Sequence, residues 1–450
     1  MATFNHTPTG RGFDSSLIYY EHKVDYWTQQ LAQSSCSAYG TIVDLWSHSP
    51  TQPEGPARAL NGTAYVEYLF RDRVLEIIAA HDPAKGPLYL QYDPHIAHCP
   101  LQVPADWLAR FTADNDEAAC QAQTASVFPG SGPGDYRCRN IYHAMVALLD
   151  EVLGNVTDAL KARGLWEDTL MVLHSVSARR REGGSCARAR APPIHNLTPT
   201  LAPRRPRPPQ DNGGPVDVTE SGSNNWPLRG GKYSRFEGGV RANAFASGGY
   251  LPPAVRGTVN AGIMHVADWS TTYCMLAGGS EAECTGDARA AASGLPPVDG
   301  LDLWPLLSGV TQTSPRVEVP IDIHGPSQAL IQGDYKLLLG QQIISGWEGP
   351  VYPNASSVKN TPYVNLACGT GCLYNVVTDP TEQTDLASAH PDIVAAMTAR
   401  LHALAPTFYS NNETGVDSPL CSGKPKGMPC GCFLAMPGEK WNGYFGPYQV

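Results

Sequence analysis

Between residues 141 and 160, apolar side chains recur every three or four positions: Ile141, Met145, Leu148, Leu149, Val152, Val156 and Leu160. That spacing draws a stripe down one helical face, so 142–161 is predicted as a core-facing helix closed by Gly164. Tyr65, Tyr68, Leu69, Val74, Ile77 and Ile78 predict a second helix over 63–81. Shorter apolar runs predict buried strands at 87–92 and 168–174 and a further short strand at 242–248; 264–277 reads as a helix. A helix leading into a buried strand is the alternation of a parallel sheet. Beyond about 316 the texture changes. There, 329–339 predicts a hairpin turning at Gly333-Asp334, 372–377 a strand and 391–404 an amphipathic helix. The aromatic tail at 442–448 is expected to dock. The fold class expected is α/β: a larger domain over 1–310 with a mostly parallel central sheet, then a small antiparallel-sheet-plus-helix domain over 311–450.

This pattern breaks at 176–210. Eight arginines against one glutamate give that stretch a net +7 in a chain of net −10. A basic arm for nucleic acid and a disordered loop are two readings. A retained intron fits its boundaries better. Val176-Ser177 is what a GTGAGY-type splice donor encodes, Gln210 is what a CAG acceptor encodes, and the frame is preserved. Excision would join Leu173-His174-Ser175 directly to Asp211.

With 44 glycines, 39 prolines and only 16% charged residues, the chain is a loop-rich globular protein. Its net charge argues against a general nucleic-acid binder, and no apolar run is long enough to span a bilayer. The twelve cysteines include the close groups Cys368/Cys372 and Cys421/Cys430/Cys432. They read as disulfides in preference to zinc sites, because their flanks lack paired histidines. Sequons at Asn5, Asn61, Asn155, Asn196, Asn354 and Asn412 add to a glycoprotein of the secretory route. Yet residues 1–8 are polar, without the basic and apolar regions of a signal peptide, so further residues are expected before Met1.

Two stretches carry candidate chemistry. Asp211-Asn212 place two hard oxygen donors side by side, and Gly213-Gly214 let the backbone turn sharply after them. Such donors suit calcium or magnesium; alone, the four residues also read as a surface turn. The block 226–241 offers Lys232 in a glycine-rich setting, then Glu237-Gly238-Gly239 and Arg241. A lysine there suits a tetrahedral oxyanion such as sulfate or phosphate. His95 and His98 follow the predicted strand 87–92, where open α/β sheets place their sites. An idle loop histidine is the plainer reading of His95.

These stretches together resemble the type I sulfatases of the arylsulfatase B-like branch. Residues 7–14 with Asp25-Tyr26 are similar to the family's TPTxRGFD…DY segment, and residues 98–104 to its H-x-P-L-Q-V-P motif, with Cys99 a departure. Residues 264–277 resemble the H-x-x-D-W-x-x-T helix, in which His265 and Asp268 are expected to pack structurally. The resemblance implies an alkaline-phosphatase-like sandwich and a sulfuric ester hydrolase that uses calcium and a formylglycine nucleophile. It implies Asp211 and Asn212 as calcium ligands and His98 as a donor to the ester. Lys232 would contact the sulfate and the leaving oxygen, with Arg241 as a further substrate contact. A sulfated small molecule or glycan would be the substrate, in a secreted or lysosome-like setting.

Formylglycine arises from Cys or Ser in C/S-x-P-x-R, and that motif occurs nowhere in the 450 residues; nor does an adjacent Asp-Asp pair. The family's versions precede the segment that matches Met1. The chain as written is therefore expected to be inactive and to bind calcium weakly. Three readings stay open: a sulfatase with an incomplete gene model, a pseudoenzyme that binds sulfated glycans, and a phosphate-ester metallohydrolase of the same superfamily.

Overall fold

The computed structural model describes residues 3–21, 24–31, 36, 39–98, 100–111, 137–174, 213–214, 225–347, 364–408 and 418–449, with the backbone alone at 137–140. The readings placed on 176–210, Asp211, Asn212, Cys99 and the sequons Asn196, Asn354 and Asn412 lie outside those residues.

Two long helices build the larger core. α1 spans Val66–Ala80 and α2 spans Arg137–Ala162, so α2 begins earlier than its apolar stripe predicts. Ile141, Met145, Leu148 and Val152 of α2 are buried with Val66 and Phe70 of α1. Farther along, Val74 and Ile78 meet Val156 and Leu160. Each such side chain withdrawn from water contributes roughly 1.5–3 kcal/mol. Gly164, at φ +67°, takes the left-handed conformation that ends α2.

Strands β1 (Ser16–Ile18), β2 (Trp46–Ser49) and β3 (Gln52–Pro56) form an antiparallel sheet. β4 (Met171–His174) pairs antiparallel with β5 (Ala244–Ser247), His174 lying opposite Ala244. Every named strand pair among the described residues is antiparallel, and the one parallel contact is the bridge between Val43 and Tyr444. The mostly parallel sheet expected from helix–strand alternation is therefore not among the described strands. β4 is half-buried, not buried, along its whole length. Residues 87–92 form no strand: Leu88 and Tyr89 are exposed, while Leu90 and Tyr92 reach the cluster around Ile78 and Leu160. Among the described residues that segment has no ladder partner, and Leu90 and Tyr92 anchor it by packing.

Helix α3 (Asp268–Leu276) precedes the C-terminal part. Asp268 is fully buried, accepts the His265 N–H at 2.8 Å and grips Arg316 through two guanidinium nitrogens. The structural packing expected of His265 and Asp268 is what these bonds provide.

The C-terminal sheet runs β10-β8-β7-β6, from β6 (Glu318–Asp322), β7 (Ser327–Gln332), β8 (Tyr335–Gln342) and β10 (Cys372–Asn375), with β9 (Leu366–Ala367) beside β8. The predicted hairpin is β7–β8, and Gly333 makes its turn at φ +56°. α4 (Pro391–Leu404) lays Met397 and Leu401 over Leu330, Leu337 and Leu373.

The tail does dock. Cys432, in α5 (Cys430–Ala435), is bonded to Cys36, and the Trp46 indole donates to the Phe445 carbonyl at 2.5 Å. The pairs Cys274–Cys284, Cys368–Cys372 and Cys421–Cys430 complete the disulfides among the described residues; the sequence indicated disulfides, and the pairing comes from the fold. Among those residues no helix is long and apolar enough to cross a membrane.

Candidate functional site

The glycines of the two candidate stretches interlock. Gly213 N–H donates to the Gly239 carbonyl at 3.1 Å, and Lys232 N–H donates to the Gly214 carbonyl at 3.0 Å. A Cβ on Gly213 would stand 1.6 Å from the Gly238 oxygen, and one on Gly238 would stand 2.4 Å from the Arg229 and Gly230 oxygens. Backbones can approach this closely only without side chains. Asn225, which sequence reasoning passed over, locks the same knot. Its buried amide accepts from Gly214 N–H at 2.8 Å and donates to the Gly214 and Gly230 carbonyls at 2.8 and 3.1 Å. Only the side chain's proximity in space, not its place in the sequence, marks it.

Two cations stand on this knot. The half-buried Lys232 ammonium has no hydrogen-bond or carboxylate partner among the described residues and lies 5.7 Å from the Tyr233 ring centroid. Arg241 is exposed and pairs with Glu237 Oε2 at 3.2 Å. Glu237 in turn is buried. Its Oε1 meets the Lys336 ammonium at 3.0 Å, and Lys336 also meets Glu382 Oε1 at 2.9 Å. Burial opposes the charge on Lys336, but Glu382 and Glu237 outweigh it and hold the ammonium above the usual lysine range. Burial pushes the Glu382 carboxyl up to about 7 against the pull of that lysine. Arg229 reaches the Ser345 carbonyl at 2.7 Å and the Glu382 carbonyl at 2.9 Å, and Arg235 pairs with Asp322 at 2.6 Å. The block 226–241 is thus seated on the C-terminal sheet.

His98 sits at a second station. The Tyr26 hydroxyl donates to the carbonyls of His95 and His98 at 3.1 and 2.9 Å, and the Tyr26 and His95 rings stack at 4.2 Å. Gln102 accepts the Tyr26 N–H at 2.8 Å and donates to Asp25 at 2.7 Å. The segment at Asp25-Tyr26 and the segment at 98–104 are therefore one unit. Glu67 of α1 underlies it, accepting the N–H groups of His95 and Ile96 at 3.1 and 3.3 Å and the Tyr92 hydroxyl at 2.5 Å. Burial raises the Glu67 carboxyl to about 7 despite those three donors.

The structure thus joins Gly213, Gly214, Lys232 and, through Glu237, Arg241 into one framework. His98 belongs to the Tyr26 station, and Lys232 makes no hydrogen bond or ion pair with it. Calcium requires six to eight oxygen ligands. Asp211 and Asn212 lie outside the described residues, and among those described no three His, Cys, Asp or Glu side chains converge. The described framework offers cations and so fits an anion; it does not by itself fit a metal ion.

Residues 3–279 match the family model described as Sulfatase. Arylsulfatase J of Mus musculus is 27% identical over 418 residues, covering 88% of this chain and 56% of that protein. The chain thus spans little more than half the length of this curated relative. Among solved structures, Ps i-CgsB superposes with a TM-score of 0.56 at 20% identity, over 92% of this chain and 72% of that one. A complex of that protein with k-i-k-neocarrahexaose gives the same likeness. The fold shared with these proteins is the α/β alkaline-phosphatase-like fold, as the sequence motifs imply.

Proposed function

The chain belongs to the sulfatase family, and from that premise we propose that it carries the anion-binding side of a sulfuric ester hydrolase site. On this reading residues 1–310 hold the site and 311–450 form the smaller domain. Lys232 contacts the sulfate group and the leaving oxygen, His98 donates to the ester, and Arg241 adds a substrate contact. Asp211 and Asn212 are the oxygen ligands this chain brings to calcium. The observation that supports the reading is the glycine knot, which sets the Lys232 backbone against Gly214, three residues from Asp211. A cation near a small oxyanion in a partly desolvated setting is worth more than in water. Formylglycine would supply the nucleophile, but no C/S-x-P-x-R occurs here, so no covalent step is assigned to any residue of this chain. A sulfated glycan or small molecule is the proposed substrate class, and the disulfides support a secretory compartment.

Titration calorimetry of the purified chain with an aryl sulfate tests the binding. Lys232→Ala is expected to weaken it about tenfold, equivalent to roughly 1.4 kcal/mol. Unchanged affinity would remove Lys232 from the site, and tighter binding of the matching aryl phosphate would favour a phosphate-ester hydrolase instead. A second reading is a protein that binds sulfated glycans without cleaving them. Transcript sequence upstream separates the two: an in-frame C-x-P-S-R supports the hydrolase, and a stop codon there supports the binding protein.

A further inference from the structure

Lys336 of β8 is fully buried, and it is held by two carboxylates from different parts of the chain. Its ammonium meets Glu237 at 3.0 Å and Glu382 at 2.9 Å. Glu382 grips Glu237 a second time, accepting its backbone N–H at 2.7 Å. Glu237 is therefore fixed at its side chain by Lys336 of the C-terminal sheet and at its backbone by Glu382 in the turn that follows β10. Its remaining oxygen takes the Arg241 guanidinium. The next residues, Gly238 and Gly239, contact the Arg229 carbonyl and Gly213.

For stability alone, a well-packed apolar side chain would serve such a site as well as a buried ion group does. What an ion group adds is direction. Glu237 gives one carboxylate oxygen to Lys336 and the other to Arg241, so the two cations are held by one side chain. The C-terminal part of the chain thereby sets where that guanidinium lies and how the Gly238-Gly239 turn meets Gly213.

We infer that Lys336 is a positioning residue of the anion site, fixing Arg241 and the Gly213–Lys232 knot through Glu237, with Glu382 as its counterpart. The effect on sulfate affinity rests on the proposed function; the effect on the knot does not. The test is amide hydrogen exchange, resolved at Gly213, Lys232 and Leu148, on the whole chain, alongside aryl sulfate titration. Lys336→Met and Glu382→Gln are expected to speed exchange at Gly213 and Lys232 about tenfold, with Leu148 of α2 unchanged. Aryl sulfate affinity should fall about tenfold in parallel. Lys336→Arg, which keeps the cation, should restore both. Exchange at Gly213 and Lys232 that matches the parent, or that rises only together with Leu148, overturns the inference. If Lys336→Met does not fold, Glu382→Gln, which leaves the Lys336–Glu237 pair in place, decides by the same comparison. Should the parent bind no aryl sulfate, the anion reading fails, and the exchange comparison alone upholds or overturns the positioning role.

Discussion

At Gly213 a single hydrogen stands where any side chain would collide with the Gly238 oxygen. Gly213→Ala must push two backbones apart, and overpacking of this kind costs about 3 kcal/mol. Urea denaturation should show that loss; a loss below about 0.5 kcal/mol would mean the knot yields freely. Glycine and lysine spacing made this locus legible, because close backbone approach demands residues of one type. The side chains that hold it were not legible. Glu67 reads as an ordinary polar position of an amphipathic helix, and its partners lie 28 and 29 residues away. Asn225 looks like any loop asparagine, and Lys336 alternates with apolar neighbours as an exposed strand residue would. A buried charge is recognised by its counter-charge, which only the folded chain supplies.

Elements with local logic came through well. The β7–β8 hairpin needs only a turn at Gly333 and neighbours in sequence, and α2 declares its buried face along its own length. Residues 87–92 fail as a strand because strand formation depends on a partner that their own composition cannot specify. The same dependence governs the direction of pairing: β4 lies antiparallel to β5, a partner about 70 residues further on that its own sequence does not name. Packing of α4 on the C-terminal sheet gives a measurable consequence. Leu337 is fully buried among Leu330, Leu373 and Met397, so Leu337→Ala should cost about 2–5 kcal/mol in a denaturation curve. Because this sheet also seats the 226–241 block, that variant should loosen Lys232 as well; a purely local loss would show that the two parts are mechanically independent.

At the scale of the whole molecule, burial lifts three carboxyls among the described residues toward neutrality. Burial raises Asp44, Glu67 and Glu382 each to about 7, against the hydrogen bonds and ion pair that favour their charged forms. A raised carboxyl stabilises the fold below its unfolded value, and that stabilisation is lost as pH climbs through the folded value. Stability should therefore increase as pH falls from about 7.5 to about 5. His265 opposes this, since burial and the nearby Arg316 hold it below the usual histidine range. Asp25 and Asp379, held below the usual range by hydrogen bonds against burial, lose their contribution only at lower pH still. Urea midpoints at the two pH values check the sign, and Asp44→Asn with Glu67→Gln should flatten the slope; greater stability at the higher pH would contradict it. Scale of a different kind governs how the molecule is made. Cys36 and Cys432 are 396 residues apart, and Phe445 caps the Trp46 indole. At about 5–20 residues per second, the first cysteine waits roughly 20–80 s for its partner to be synthesised. The segment around Cys36 therefore stays open until Cys432 arrives to close it.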